Sequence, residues 1–288
     1  MLGLSSTYFA LRNSGIYESA EKIANLGFGC IELGAAHAYE KNVFVTLKKI
    51  KRDFPDLQFT VHGLFPPLRE KHWFNISEGI TRKNKKIIDG LFEAGRIVEA
   101  RAIAIHPGYL GKTSYGRTLR SGFNKTGAVA EWPKEKCLKN AFKILDYALK
   151  KSDALGLGFA MENTVWESKL RPLFYSREDF EMLFREFHDL GMLFDMGHSL
   201  FESQLDILLP KFHKKIIEMH MHYSNPKSAI CKTDQHAPLP EDFDLRKLAK
   251  IKQIKKIPLV LEHGLDVSEA QILKEKEMIE KILLSQIR

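Results

Sequence analysis

Gly158-Phe159-Ala160-Met161-Glu162-Asn163-Thr164 is the stretch on which the reading of the fold turns. A short apolar run with strand character ends on a carboxylate. A charged group at the end of a packed strand needs a counter-charge, hydrogen bonds or a metal ion. The pattern recurs in Thr60-Val61-His62, Ala104-Ile105-His106, Leu193-Phe194-Asp195, Glu218-Met219-His220 and Leu259-Val260-Leu261-Glu262. One buried His or Glu is ordinary. Six at equivalent strand ends imply strands converging on a shared polyvalent metal site, which is what a barrel provides.

The rest of the chain supports that geometry. Strands are expected at about 3–8, 29–33, 58–62, 102–106, 157–162, 191–195, 216–221 and 258–262. Amphipathic helices are expected at about 15–26, 40–53, 77–99, 134–155, 176–189, 199–214, 243–255 and 268–287. In the third helix Ile80, Ile87, Ile88, Leu91, Phe92, Ile97 and Val98 share one side, opposite Arg82, Lys83, Lys85 and Lys86. Turns such as Asn25-Leu26-Gly27 and Asp189-Leu190-Gly191 separate the units. Eight strand–helix units in 288 residues predict an α/β protein, a single-domain (β/α)8 TIM barrel over residues 1–288. An open doubly wound sheet usually places a Gly-rich phosphate loop after its first strand, and Ser5-Ser6-Thr7-Tyr8 is none.

Composition narrows the partners. A formal charge of +8 and a pI near 9.2 favour anionic partners such as nucleic acid or phosphorylated metabolites. Cys30, Cys137 and Cys231 are scattered, with no CxxC, so neither a disulfide framework nor a thiolate zinc site is indicated. No apolar run reaches the ~18 residues of a membrane span. The N-terminus lacks the pattern of a signal peptide. A cytoplasmic protein without membrane association is expected.

The strand-end residues acquire company in the loops. Asp195-Met196-Gly197-His198 puts a carboxylate and an imidazole three apart on a turn, and Asp234-Gln235-His236 puts the same pair two apart on a loop. The candidate ligands are His62, His106, Glu162, Asp195, His198, His220, Asp234, His236 and Glu262. Imidazole with carboxylate and no thiolate suits Zn²⁺, Mn²⁺ or Fe²⁺. Nine ligands exceed the three or four of a mononuclear site. His37, His72, His188, His213 and His263 fit the pattern less well; His188 and His213 are expected in helices, and His263 should point away from its neighbour Glu262. The stretch 107–133 reads as a long irregular loop carrying Lys112, Arg117, Arg120 and Lys125 among Tyr109, Tyr115, Phe123 and Trp132. In a barrel it would lie on the catalytic face.

These residues resemble the endonuclease IV family (family 2 AP endonucleases), within the wider xylose isomerase-like barrel superfamily. His62 stands where the family has its first histidine ligand. His106-Pro107-Gly108 resembles its HPG signature, and Glu162-Asn163-Thr164 its ENT. Asp195 with His198 resembles its D-x-x-H, Asp234 with His236 its D-x-H, and His220 and Glu262 its last strand-end ligands. The similarity spans nearly the whole chain. It implies hydrolysis of DNA 5′ of abasic sites at up to three Zn²⁺, with Glu162 and Glu262 as the catalytic carboxylates. It further implies that Glu162 bridges two ions and that Asp234 and His236 serve a third. Tyr109, Lys112, Arg117, Arg120 and Lys125 would then grip DNA, and Phe65 stands where the nucleases often carry an aromatic wedge. A monomer is expected.

The chain also departs from that family. Strand seven reads His220-Met221-His222, so His222 is an additional or alternative ligand, with His220 favoured. Leu239-Pro240-Glu241-Asp242 replaces Leu-Gly-Glu-Gly, and Val165-Trp166-Glu167 replaces a Gly-rich stretch. Gly34-Ala35-Ala36-His37 lacks a basic, DNA-contacting look. Sugar isomerases and epimerases of the same superfamily use one divalent ion held by Glu, Asp, His and Glu. Glu162, Asp195, His220 and Glu262 would supply that set, with a sugar or sugar phosphate as substrate and the two glutamates moving its proton. His62, His106, Asp234 and His236 have clear work only in the larger site.

Overall fold

The computed structural model describes residues 1–69, 74–115, 126–166 and 171–284. Its strands are β1 (Leu2–Ser5), β2 (Cys30–Leu33), β3 (Gln58–His62), β4 (Ala102–Ile105), β5 (Lys112–Tyr115), β6 (Thr126–Ala130), β7 (Gly158–Glu162), β8 (Gly191–Asp195), β9 (Ile216–Met221) and β10 (Leu259–Leu261). All but β5 and β6 form one closed barrel in the order β1-β10-β9-β8-β7-β4-β3-β2. Every pairing in it is parallel. The expected (β/α)8 TIM barrel is therefore present.

The strands are buried on both faces, so most lack polar alternation and run apolar until their ends. Larger side chains such as Phe59, Phe159, Phe194 and Met219 are buried in the main core, which also takes in residues of the surrounding helices. Inside the ring, Ala104, Ala160 and Leu193 form a small plug with Ile217 against it. The plug explains a glycine: a Cβ on Gly191 would lie 2.8 Å from Ile217 Cδ1. Register pairs Glu32 with Thr60, His62 with Ala104, Glu162 with Leu193 and Asp195 with His220, so the two side chains of each pair face the same side of the sheet.

The helical layer is more broken than its periodicity predicts. The third expected helix is a 3₁₀ turn at Ile76–Glu78 followed by a helix at Arg82–Val98, capped by Thr81. Ile80 falls in the break and is exposed. The segment 199–214 divides into Met196–Phe201 and Leu205–Phe212, with Ser203 at φ 57° between them. The segment 243–255 keeps only Arg246–Ala249 and the 3₁₀ turn Ile254–Lys256. The stretch 107–133 is not wholly irregular: β5 and β6 form an antiparallel pair, which gives the inserted chain its own backbone hydrogen bonds. Among the described residues no helix is long and apolar enough to cross a membrane.

Candidate metal centre

The C-terminal ends of β3, β7 and β8 deliver His62, Glu162 and Asp195 as their last residues. His106 and Glu262 follow β4 and β10 by one residue, and His220 lies within β9. Strand parity then turns these residues inward, together with Glu32 of β2. Donor atoms within 4.8 Å of one another fall into four overlapping groups: His62, His106 and Glu162; Glu162, Asp195, His220 and Glu262; His198, His222, Asp234 and His236; and Glu32, His62 and His220.

Glu162 joins the first two groups through different atoms. Its Oε2 lies 2.9 Å from His62 Nε2 and 3.1 Å from His106 Nε2. Its Oε1 lies 3.6 Å from His220 Nδ1, which is also 3.4 Å from Asp195 Oδ2 and 3.2 Å from Glu262 Oε2. In the third group Asp234 Oδ2 lies 3.3 Å from His198 Nε2 and 2.9 Å from His236 Nε2.

The supporting hydrogen bonds explain why Asn follows Glu162 and why His198 follows Asp195 by three. Asn163 Nδ2 donates to the Asp195 carbonyl at 2.8 Å and to Ser199 Oγ at 3.1 Å, and its Oδ1 accepts from the Asp195 backbone N–H. The Asn163 carbonyl faces His198 Nδ1 at 2.9 Å. Asp195 caps the helix Met196–Phe201 by accepting the His198 N–H at 2.6 Å. His236 Nδ1 faces the Glu262 carbonyl at 3.1 Å. Such acceptors fix the ring tautomer and aim the opposite nitrogen into the site.

Burial disfavours charge on every group here, and the partners override it for most. His62 rises to about 9 because Glu162 and Glu32 outweigh its desolvation, and His236 rises to about 9 because of Asp234. His198 and His220 also rise, beside Asp195 and Glu32 respectively. His106 falls, desolvation exceeding the pull of Glu162. Against burial, His62 holds Glu162 low, His198 holds Asp195 low, His222 holds Asp234 low, and His220 brings Glu262 to about 2. Among the described residues no Lys or Arg forms an ion pair with Glu162, Asp195 or Glu262. The buried Glu162 Oε1, His220 Nδ1 and His222 Nδ1 have no hydrogen-bond partner. Carboxylates and imidazoles converging with lone-pair atoms left over fit divalent metal ions.

All nine expected ligands are thus placed in these groups. His222 falls in the third group and His220 in the second and fourth, so the two rings face different groups. Glu32 was not singled out by sequence: its Oε2 lies 2.6 Å from His220 Nε2 and 3.8 Å from His62 Nδ1. The signal was a lone carboxylate in the apolar strand Cys30-Ile31-Glu32-Leu33. Glu218, one step deeper on β9, is fully buried with neither carboxylate oxygen bonded; burial and Glu32 push it up to about 8. His263 points away as expected, its Nε2 2.6 Å from Glu275 Oε2.

The expected DNA contacts fare differently. Phe65 is only 1% exposed and meets His37 edge-on at 6.2 Å, so its ring is packed inward rather than presented as a wedge. Tyr109 is half-buried, and Lys112 is exposed on β5. Arg117, Arg120 and Lys125, with His72, lie outside the described residues. A separate cavity of about 960 Å³, lined by Leu205, Leu209, Phe243 and Ile251 among others, shares none of the candidate ligands.

Comparison with known proteins agrees with this architecture. No curated protein matches the chain. Among solved structures, a D-tagatose 3-epimerase-like protein is 19% identical with a TM-score of 0.68, over 98% of this chain and 96% of that one. A family 2 AP endonuclease from Brucella melitensis is 12% identical with a TM-score of 0.67, over 94% and 95%. The IOLI protein, solved with a bound zinc atom, is 14% identical with a TM-score of 0.68, over 98% and 97%. At these identities the likeness speaks for the fold. Residues 20–282 match a protein family described as xylose isomerase-like TIM barrel. The chain belongs to the xylose isomerase-like TIM barrel family.

Proposed function

We propose that this chain is a metal-dependent phosphodiesterase of the endonuclease IV type, with DNA at abasic sites as its substrate and Zn²⁺ as its metal. The observation that carries the reading is the division of Glu162 between two ligand groups, Oε2 toward His62 and His106 and Oε1 toward His220. A carboxylate so placed could serve two ions at once, whereas a one-ion isomerase site would leave His62, His106, Asp234 and His236 without ligand work. Divalent ions in such a site neutralise developing charge on phosphoryl oxygens and acidify a water molecule. The protein's own part is positional. Glu162 holds the first two groups in register, Asp195 and Asn163 fix His198, and Glu262 faces His220 from β10. Basic side chains such as Lys112 attract the phosphate backbone.

A second reading, sugar isomerisation or epimerisation at one ion, is favoured by the completeness of Glu162, Asp195, His220 and Glu262 as a four-ligand group and by the inward packing of Phe65. The test pairs incision of an abasic duplex with a screen of small ketoses and their phosphates, at equal metal loading. Incision abolished by EDTA supports the phosphodiesterase. Sugar interconversion with no incision under any divalent metal refutes it.

A further inference from the structure

The third group contains one residue more than the nine-ligand pattern requires. His222 is fully buried. Its Nε2 lies 3.0 Å from Asp195 Oδ1 and 3.1 Å from Oδ2, so this edge of the ring donates to the Asp195 carboxylate. A ring that donates through Nε2 carries a lone pair on Nδ1. That Nδ1 has no hydrogen-bond partner, and the nearest carboxylate oxygen across the group is Asp234 Oδ1 at 3.9 Å. The ring stacks on His236 with centroids 4.1 Å apart and planes 12° apart, and meets His198 edge-on at 5.6 Å. All three imidazoles are therefore anchored through one nitrogen: His198 on the Asn163 carbonyl, His236 on the Glu262 carbonyl and His222 on Asp195. Each is left with the other nitrogen toward Asp234.

The position of His222 is also built into the backbone. A Cβ on Gly197 would lie 1.9 Å from His222 Cε1 and 2.1 Å from its Nδ1. The ring occupies the space that any other residue at 197 would fill.

We propose that His222 is a fourth protein ligand, through Nδ1, to a metal ion held by His198, Asp234 and His236, and that this third site is closed. This rests on the multinuclear reading above. Three imidazoles and one carboxylate complete a tetrahedral Zn²⁺ shell, the arrangement of sites that hold structure, whereas catalytic sites keep a position open. The third ion is then a fixed charge and a strut between the loop at Asp234 and the ends of β8 and β9. Substrate contacts are left to the first two groups. Asp195, hydrogen-bonded to His222 and facing His220 in the second group, ties the two sites together.

The experiment is a titration of the chelator-stripped full chain with Co²⁺ alone, followed by visible absorption and calorimetry. Wild type should show one class of Co²⁺ with the intense absorption of a four-coordinate ion. His198→Ala and His222→Gln should both remove that class, with affinity falling by more than the roughly 10–100-fold typical of losing an outer-shell partner. The glutamine amide retains a donor for Asp195, so a role limited to holding Asp195 would leave the class in place. His222→Gln with unchanged stoichiometry, affinity and spectrum overturns the proposal. So does loss of the class removed by Glu262→Gln in place of the one removed by His198→Ala. Should the His222 variant fail to fold, wild type still decides: weak, six-coordinate absorption from every bound equivalent also overturns it. Wild type that binds no Co²⁺ overturns the multinuclear reading itself.

Discussion

Replacing Gly197 by alanine sets two effects of known sign against each other. Residue 197 lies in the first turn of the helix Met196–Phe201, where alanine normally stabilises by up to about 1 kcal/mol over glycine. The added methyl would stand 1.9 Å from His222 Cε1, and carbon atoms rest at about 3.5–4.0 Å. The ring must retreat by roughly 1.6 Å, or the helix must move. Retreat is blocked by the stacked His236 ring and by the Asp195 hydrogen bond. Overpacking of this kind costs about 1–3 kcal/mol, which exceeds the helical gain. Gly197→Ala should therefore lower the urea midpoint of the stripped chain at unchanged m-value, and should lose the third group's metal ion. His222→Ala made on top of it removes the obstacle, so the double variant should recover stability with a coupling of about 0.5–3 kcal/mol. A Gly197→Ala protein with wild-type midpoint and metal content would show that the ring is not held where the structure puts it.

Three further outcomes are expected. Glu162→Gln should keep the circular dichroism spectrum while abolishing turnover and weakening the first two groups together; retained turnover removes Glu162 from the mechanism. His106→Ala and His236→Ala, both outside the four-ligand isomerase set, should harm phosphodiester cleavage, and wild-type activity in both would sink the multinuclear reading. The metal-free chain should lose thermal stability as pH rises through about 9, because His62 and His236 are raised to about 9. A base whose folded pKa exceeds its unfolded value, about 6.5 for His, stabilises fully below that lower value and loses the contribution as pH climbs through the upper one. The metal-loaded chain should not show that decline, and a flat melting profile for the stripped chain would contradict the assignment.

The barrel and the convergence of its polar strand ends were legible in sequence for the same reason. Strands buried on both faces read as apolar runs, so a polar residue at the end of one stands out, as His62, Glu162 and Asp195 do. Glu32 escaped notice because one carboxylate inside Cys30-Ile31-Glu32-Leu33 resembles the outward residue of an alternating strand, and only barrel closure reveals that it faces His220. Phe65 was assigned by position in a pattern, and burial is set by tertiary packing that the pattern does not contain. The helical breaks near Ser203 and after Ala249 were hidden because hydrophobic periodicity continues across a turn whose exit angle it does not encode.

Barrel closure also sets a schedule for the molecule. β1 is completed only by pairing with β10, near the other end of the chain. The candidate ligands run from His62 to Glu262, about 200 residues, which a ribosome adds in roughly 10–40 s at about 5–20 residues per second. The group of His62, His106 and Glu162 needs only the chain up to residue 162, whereas the second group also needs His220 and Glu262. An ion held by the full second group would have to wait for Glu262, so its capture in the native geometry would follow the synthesis of β10.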